Sequence, residues 1–287
     1  MYIREYVLDH VLLLNQKGDL ARKKELEKLP PRLSVSGIGH CPRQAIFEAA
    51  RYHPDHPLHV DPTHPFDAYV KEVMECGNLW ETQTRKALAL GLGDKVHWRK
   101  NDPLLRVGND VWSGHLDFVV EPCEEYPGGA IFEHKATNPV NFVRKGRLPY
   151  LFHCMQVLTY GRLYREQHGI GREALPTWLY YRSWSHWAEL EVWDDGRYIV
   201  WEGTLNGRDR SGEFEMEVSL TDRMEMLEAA WLQQELPPRY ETPFAVDFTC
   251  ARTNKKRGTG RPSCRYFGVC WPNMPQWDEP TDLREWT

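Results

Sequence analysis

A chain of 287 residues can form one large domain or two small ones, and its 41% hydrophobic and 27% charged residues match a soluble globular protein. No apolar run approaches the roughly 18 residues of a membrane span, so no membrane partner is expected. A formal net charge of −5 argues against a general polyanion binder, but it hides two acid-free basic tracts, 134–165 and 251–270. Basic tracts inside an acidic protein suggest a confined anionic partner such as nucleic acid, although a solvated surface run explains either tract alone.

The N-terminal 31 residues read as an amphipathic helix, because acids flank the short apolar patch and no small-residue cleavage site follows it. Pro42 suits a first helical turn, which puts Cys41 at a helix N-terminus. The Pro/His-rich stretch HPDHPLHVDPTHP that follows is expected to be a loop, and its histidines lack metal-site spacing. A helix is predicted from about Asn78 to Leu90, closed by Gly91. Strands are predicted around 94–98, 104–107, 111–120 and 130–136, then a helix ending at Gly169. Segment 176–204 is rich in Trp and Tyr, with a hairpin-like turn at Asp194-Asp195-Gly196, and its aromatics read as sheet core in preference to base-stacking groups. A last helix near 221–235 precedes a cysteine-bearing tail.

Within AIFEHKATN, Glu133 and Lys135 sit at i and i+2, on one face of a strand. A charge pair at a strand end is the simple explanation. Asp117, on the strand before, offers another, because two neighbouring carboxylates repel unless a cation lies between them. A divalent metal suits oxygen donors of this kind, and Lys135 would then orient water or stabilise charge developing on a phosphate. Glu81 follows Asn78 at capping-box spacing, which is its alternative explanation. Gln156 and Tyr160 fall on one helix face, where an ordinary polar stripe is the alternative.

The ordered set Gly77-x-x-x-Glu81, Gly114-x-x-Asp117, Glu133-x-Lys135 and Gln156-x-x-x-Tyr160 resembles the RecB-like branch of the PD-(D/E)xK nuclease superfamily. That resemblance implies an α/β fold, a central mixed β-sheet flanked by helices with a restriction-endonuclease-like core. It also implies a Mg²⁺ or Mn²⁺ site on the central strands. In that family the acids matching Asp117 and Glu133 bind metal, and the backbone carbonyl at the position of His134 joins them. Lys135 matches the catalytic lysine, and Gln156 and Tyr160 match a pair associated with the active site and DNA. Glu81 stands where the family commonly carries His, although some branches use Glu, and it is expected as a further ligand. The His134 side chain should point away from the site.

Seven cysteines without a secretion signal suggest a reducing compartment and thiol or metal chemistry. Cys41 before the motifs, with Cys250, Cys264 and Cys270 after them, resembles the iron–sulfur subgroup that includes CRISPR-associated adaptation exonucleases. The resemblance implies a structural 4Fe–4S cluster on these four cysteines, with zinc as the second candidate. Thirteen residues separate Cys250 from Cys264, longer than that subgroup's pattern, and the insert is basic. Cys76, Cys123 and Cys154 are expected to be small buried hydrophobes.

These readings combine into a divalent-metal-dependent DNA exonuclease acting on single-stranded DNA or DNA ends. The alternative is a catalytically silent DNA-binding or adaptor protein that keeps the fold and cluster. The whole chain, 1–287, is read as one nuclease domain with an N-terminal helical extension over 1–33. Its nuclease core spans 66–235, and cysteine-ligated segments at 34–60 and 236–287 form the iron–sulfur subregion. The expected location is the cytoplasm, for a protein of prokaryotic or phage origin.

Overall fold

The stretch VWSGHLDFVV, expected as one strand, instead turns at Leu116 and Asp117 and enters two sheets. The computed structural model describes residues 24, 27–62, 68–99, 101–143, 148–171, 175–239, 264 and 266–270. In it, β1 (Leu33–Ser34), β3 (Arg106–Gly108) and β4 (Trp112–His115) form a three-stranded sheet with β4 in the middle. The larger, seven-stranded sheet holds β2 (Val96–His97), β5 (Phe118–Val120), β6 (Ala130–Ala136), β7 (Thr177–Arg182), β8 (Trp187–Asp194), β9 (Tyr198–Leu205) and β10 (Arg208–Glu215). Its spatial order is β10-β9-β8-β7-β6-β5-β2.

Only β6 and β7 pair in parallel; the other neighbours in this sheet are antiparallel. A parallel pair needs a crossover. Residues 137–176 supply it, carrying a short α3 (Val140–Val143) and the long α4 (Leu151–His168). The remaining described helices are α1 (Pro42–Ala50), α2 (Ala68–Leu92), α5 (Leu220–Gln233) and α6 (Phe267–Cys270). The protein is therefore α/β, with a large mixed sheet flanked by helices. No described helix is long and apolar enough to cross a membrane.

The two faces of β6 are buried for different reasons. Phe132 packs with Phe118, Val96, Val120 and Ala130, and Leu88 and Leu92 of α2 cover this cluster. On the other face α4 lies close against β7, where a Cβ on Gly161 would come within 2.3 Å of Thr177 Cγ2. The absence of a side chain at Gly161 sets the distance between that helix and the sheet.

The chain divides into two compact units, one comprising 32–39 and 72–229, the other 1–31, 40–71 and 230–287. The first contains both sheets. In the second, Pro42 opens α1 with Cys41 as its N-cap, as the sequence implies. His56 stacks on Trp231 at 4.4 Å, and His59 Nδ1 lies 3.0 Å from the Ala50 carbonyl, so these loop histidines serve packing.

Two further elements and two cysteines differ from the sequence expectations. Helix α2 begins ten residues before the expected Asn78, so Asn78 and Glu81 lie in its interior and do not form a capping box. It ends at Leu92, followed by Gly93 at φ +62, so Gly91 is not its cap. Strand β10 was not anticipated, because RDRSGEFE is polar on both faces of an edge strand. The Cys76 side chain is exposed and Cys123 is half-buried, while Cys154 is buried as expected.

The short edge strand β2 is fastened by a histidine. His97 lies 2.9 Å from Asp102 Oδ2 through Nδ1 and 3.0 Å from Glu121 Oε1 through Nε2, a geometry suited to an imidazolium donating on both sides. Burial pulls its pKa down, but the hydrogen bonds to Glu121 and Asp102 and their charges outweigh it, raising the value above 6.5. A raised folded pKa gives stability that is fully present below the unfolded value and lost as pH rises through the folded one. Unfolding of the protein should therefore show a stability decline as pH rises past 6.5 that His97→Gln removes. Identical pH profiles in denaturant titrations of the two proteins would refute this role.

Candidate active site

Strand β6 alternates, so Ile131, Glu133 and Lys135 share one face while Phe132, His134 and Ala136 share the other. On the first face, Lys135 Nζ donates to Glu133 Oε1 at 2.7 Å and to Gln156 Oε1 at 2.9 Å. Gln156 Nε2 donates to the same Glu133 oxygen at 2.7 Å, closing a triangle between β6 and α4. Tyr160, one turn along α4, is buried and hydrogen-bonded to Gln156 and to the His115 backbone. Burial, then the charges of Glu133 and Asp117, keep its phenol protonated. Its ring explains the glycine of the second motif, since a Cβ on Gly114 would sit 2.4 Å from Tyr160 Cε1. Gly77 has no such constraint, because a Cβ there would make an ordinary 3.6 Å contact with Ala136.

Asp117 occupies the bend between the two sheets. Phe118 pairs with Phe132, so the bend sets Asp117 beside Glu133 and the His134 amide. The His134 backbone N–H donates to Asp117 Oδ2 at 2.7 Å, and Arg85 Nη2 donates to Oδ1 at 3.1 Å. The same Arg85 nitrogen pairs with Glu81, one helical turn earlier on α2. Sequence reasoning missed Arg85, although its i+4 spacing from Glu81 is the standard signal for an ion pair on a helix.

Five charged groups thus converge, three carboxylates (Glu81, Asp117 and Glu133) and two cations (Arg85 and Lys135). Two carboxylates sharing one guanidinium nitrogen sit within about 6 Å, where they repel by roughly 3 kcal/mol at an effective dielectric near 20. Each contact with Arg85 returns about 4 kcal/mol on the same scale, so Arg85 more than offsets their repulsion. The remaining imbalance of one negative charge appears in the pKa values. Burial, then Asp117, raises Glu81 to about 7, and the same causes raise Glu133 to about 8. His134 adds no charge, because burial lowers its pKa to about 4. Its ring faces Thr84 Oγ1 at 3.3 Å and Tyr180 at 5.6 Å, away from Glu133 and Lys135. Arg182 steadies Thr84 at 2.9 Å and rests over the Trp80 ring.

Asp117, Glu133 and Glu81 are hard oxygen donors of the kind Mg²⁺ and Mn²⁺ take. Glu133 Oε2 is buried without a hydrogen-bond partner, an unsatisfied carboxylate oxygen that a cation would satisfy. The residues fit a hard divalent ion in donor chemistry and in their charge deficit. Among the described residues, no three His, Cys, Asp or Glu side chains form a group that could hold a metal ion.

In the other compact unit, Cys41, Cys264 and Cys270 are all buried. Burial first, then the proximity of Cys41, raises the Cys270 thiol above its usual range. Arg239 donates to the Cys270 carbonyl at 2.9 Å, and Arg43 donates to the Pro237 carbonyl at 2.7 Å, which fixes this segment. Cys250 lies outside the described residues. No family model, no curated protein and no solved structure matches the chain.

Replacing Arg85 with Met should cost about 2–3 kcal/mol in divalent-free buffer, below the full value for a buried pair because Glu81 can take up a proton. Urea unfolding measures this, and a loss under about 0.5 kcal/mol, the ordinary surface scatter, would show that Arg85 does not balance the site.

Proposed function

We propose that the protein is a divalent-metal-dependent DNA nuclease, of the PD-(D/E)xK type it resembles, with exonuclease action on single-stranded DNA or DNA ends. The observation that carries this reading is the convergence of Asp117, Glu133, Lys135 and Gln156, with Glu81, around one strand. A surface salt bridge between Glu133 and Lys135 would require none of the other three, nor a buried carboxylate.

Asp117 and Glu133 would hold Mg²⁺ or Mn²⁺, with Glu81 and the His134 carbonyl as further ligands. The ion would supply charge neutralisation at the phosphate and a water of lowered pKa. Glu133 anchors Lys135, and Gln156 fixes the direction of both by binding each of them. Lys135 is therefore pre-aimed, with its ammonium available to a phosphate oxygen as negative charge develops. Tyr160 holds Gln156 in turn and does not ionise near neutrality.

The iron–sulfur part of the reading is supported by the burial of Cys41, Cys264 and Cys270 and by the closeness of Cys41 to Cys270. Cys250 would be the fourth ligand of a 4Fe–4S cluster, with zinc as the competing occupant. The DNA-binding or adaptor reading also has one observation in its favour. Both Asp117 oxygens and one Glu133 oxygen already carry hydrogen bonds from the protein's own groups.

Labelled single- and double-stranded DNA incubated with Mn²⁺ decides between cutting and mere binding. Glu133→Gln and Lys135→Ala should each lower the cleavage rate by about 100-fold or more while the proteins stay folded. Undiminished cleavage in either would refute the site assignment, and binding by the unaltered protein without any cleavage would favour the adaptor. Anaerobically purified protein should carry about four irons per chain, and Cys264→Ala should lose colour and thermal stability together. Zinc without iron would replace the cluster in this reading.

A further inference from the structure

The turn that joins β7 to β8 is built more firmly than a connecting loop requires. Ser183, 4% exposed, donates its N–H to the His186 carbonyl at 2.8 Å, and its hydroxyl accepts the His186 N–H at 2.9 Å. The His186 ring stacks on Phe142 of α3 at 5.5 Å. The Thr137 N–H donates to the Arg182 carbonyl at 2.9 Å, which ties the exit of β6 to the start of this turn. On this braced turn Trp184 is 76% exposed, and its indole stacks on no other ring among the described residues.

The turn stands at the same end of the sheet as the candidate active site. Lys135 pairs with Tyr181, so Trp184 is three residues beyond the strand partner of Lys135, within roughly 10 Å along the chain. Both strands end there in parallel, and ligands of open α/β sheets lie outside the carboxyl ends of such strands. The chain that leaves β6 returns to this turn, because Phe142 of α3 meets the His186 ring, and it carries no Asp or Glu from Thr137 to Val143. A braced, exposed indole at the end of the sheet where Lys135 stands suits unpaired bases, whose faces stack without regard to sequence.

We infer that Trp184 is a stacking platform for an unpaired base of single-stranded DNA beside the carboxylate–lysine site. The inference rests on the nuclease reading and deepens it, since a paired base keeps its faces covered by its neighbours and cannot use the platform. Trp184 acts as a positioning residue that selects single strands or frayed ends.

Fluorescence anisotropy of a labelled oligothymidylate in EDTA, where no metal-dependent cleavage runs, tests it with the full chain. Trp184→Ala should weaken binding by about 5-fold to 100-fold, and Trp184→Phe should retain most of the affinity. A strand of abasic spacers should bind the unaltered protein more weakly by a similar factor, yet bind Trp184→Ala no worse than oligothymidylate does. Equal affinities for the unaltered protein and Trp184→Ala, alongside Mn²⁺-dependent cleavage that Lys135→Ala abolishes, would overturn the platform and leave the nuclease reading standing. A chain that neither binds nor cuts DNA would overturn both.

Discussion

Three carboxylates brought within reach of two cations is the constraint that the rest of the structure serves. Glu81, Asp117 and Glu133 come from a helix, a bend and a strand, and none could be half-buried or fully buried beside the others unaided. Arg85 and Lys135 bring them together, and each cation reaches its carboxylate from an element that packing has already fixed. Lys135 stands on β6, near the middle of seven strands, and Arg85 stands on α2 above an aromatic and aliphatic cluster. A surface site could relax by moving its side chains into water. This one responds by raising two carboxyl pKa values.

The break in the stretch 111–120 follows from the same requirement. A continuous strand would carry Gly114 and Asp117 along one sheet, and α4 would have no place for the Tyr160 ring. The chain instead leaves the small sheet after His115 and enters the large one at Phe118. Tyr160 fills the space that the missing Gly114 side chain leaves, and Asp117 at the bend turns toward the His134 amide and Arg85. The motif glycine and the motif acid are thus two consequences of one turn in the backbone.

Features governed by short periods were legible in the sequence. The i and i+2 spacing placed Glu133 and Lys135 on one face, and i and i+4 placed Gln156 and Tyr160 on another, where Gln156 meets both β6 side chains. Gly169 as the end of α4 was equally readable, since it adopts φ 63 and its N–H reaches the last carbonyls. What depends on tertiary contacts was not readable. Helix α2 carries Gly77 and Gly91 in its interior because packing of Leu88 and Leu92 outweighs a propensity cost of about 1 kcal/mol per glycine. Strand β10 did leave a signal, Asn206-Gly207 with both φ values positive, as a two-residue hairpin turn requires. The strand after it shows no hydrophobic alternation, so periodicity does not mark it. The role of Arg85 was not legible because its i+4 pair with Glu81 is common on helices, while its contact with Asp117 is made by tertiary structure.

The pairing of these charges also bears on how such a site would act. On the reading proposed above, Arg85 and Lys135 already neutralise carboxylates within the protein, so their positive charge is committed before any substrate arrives. Positive charge supplied to Asp117 and Glu133 from outside would loosen that commitment. The ammonium of Lys135 would remain aimed by Gln156, whose carboxamide is itself uncharged. An interaction used for folding in one state would then be free for a phosphate in the other. A site organised this way creates no new charge when it acts; it reassigns charges whose positions the fold has already fixed.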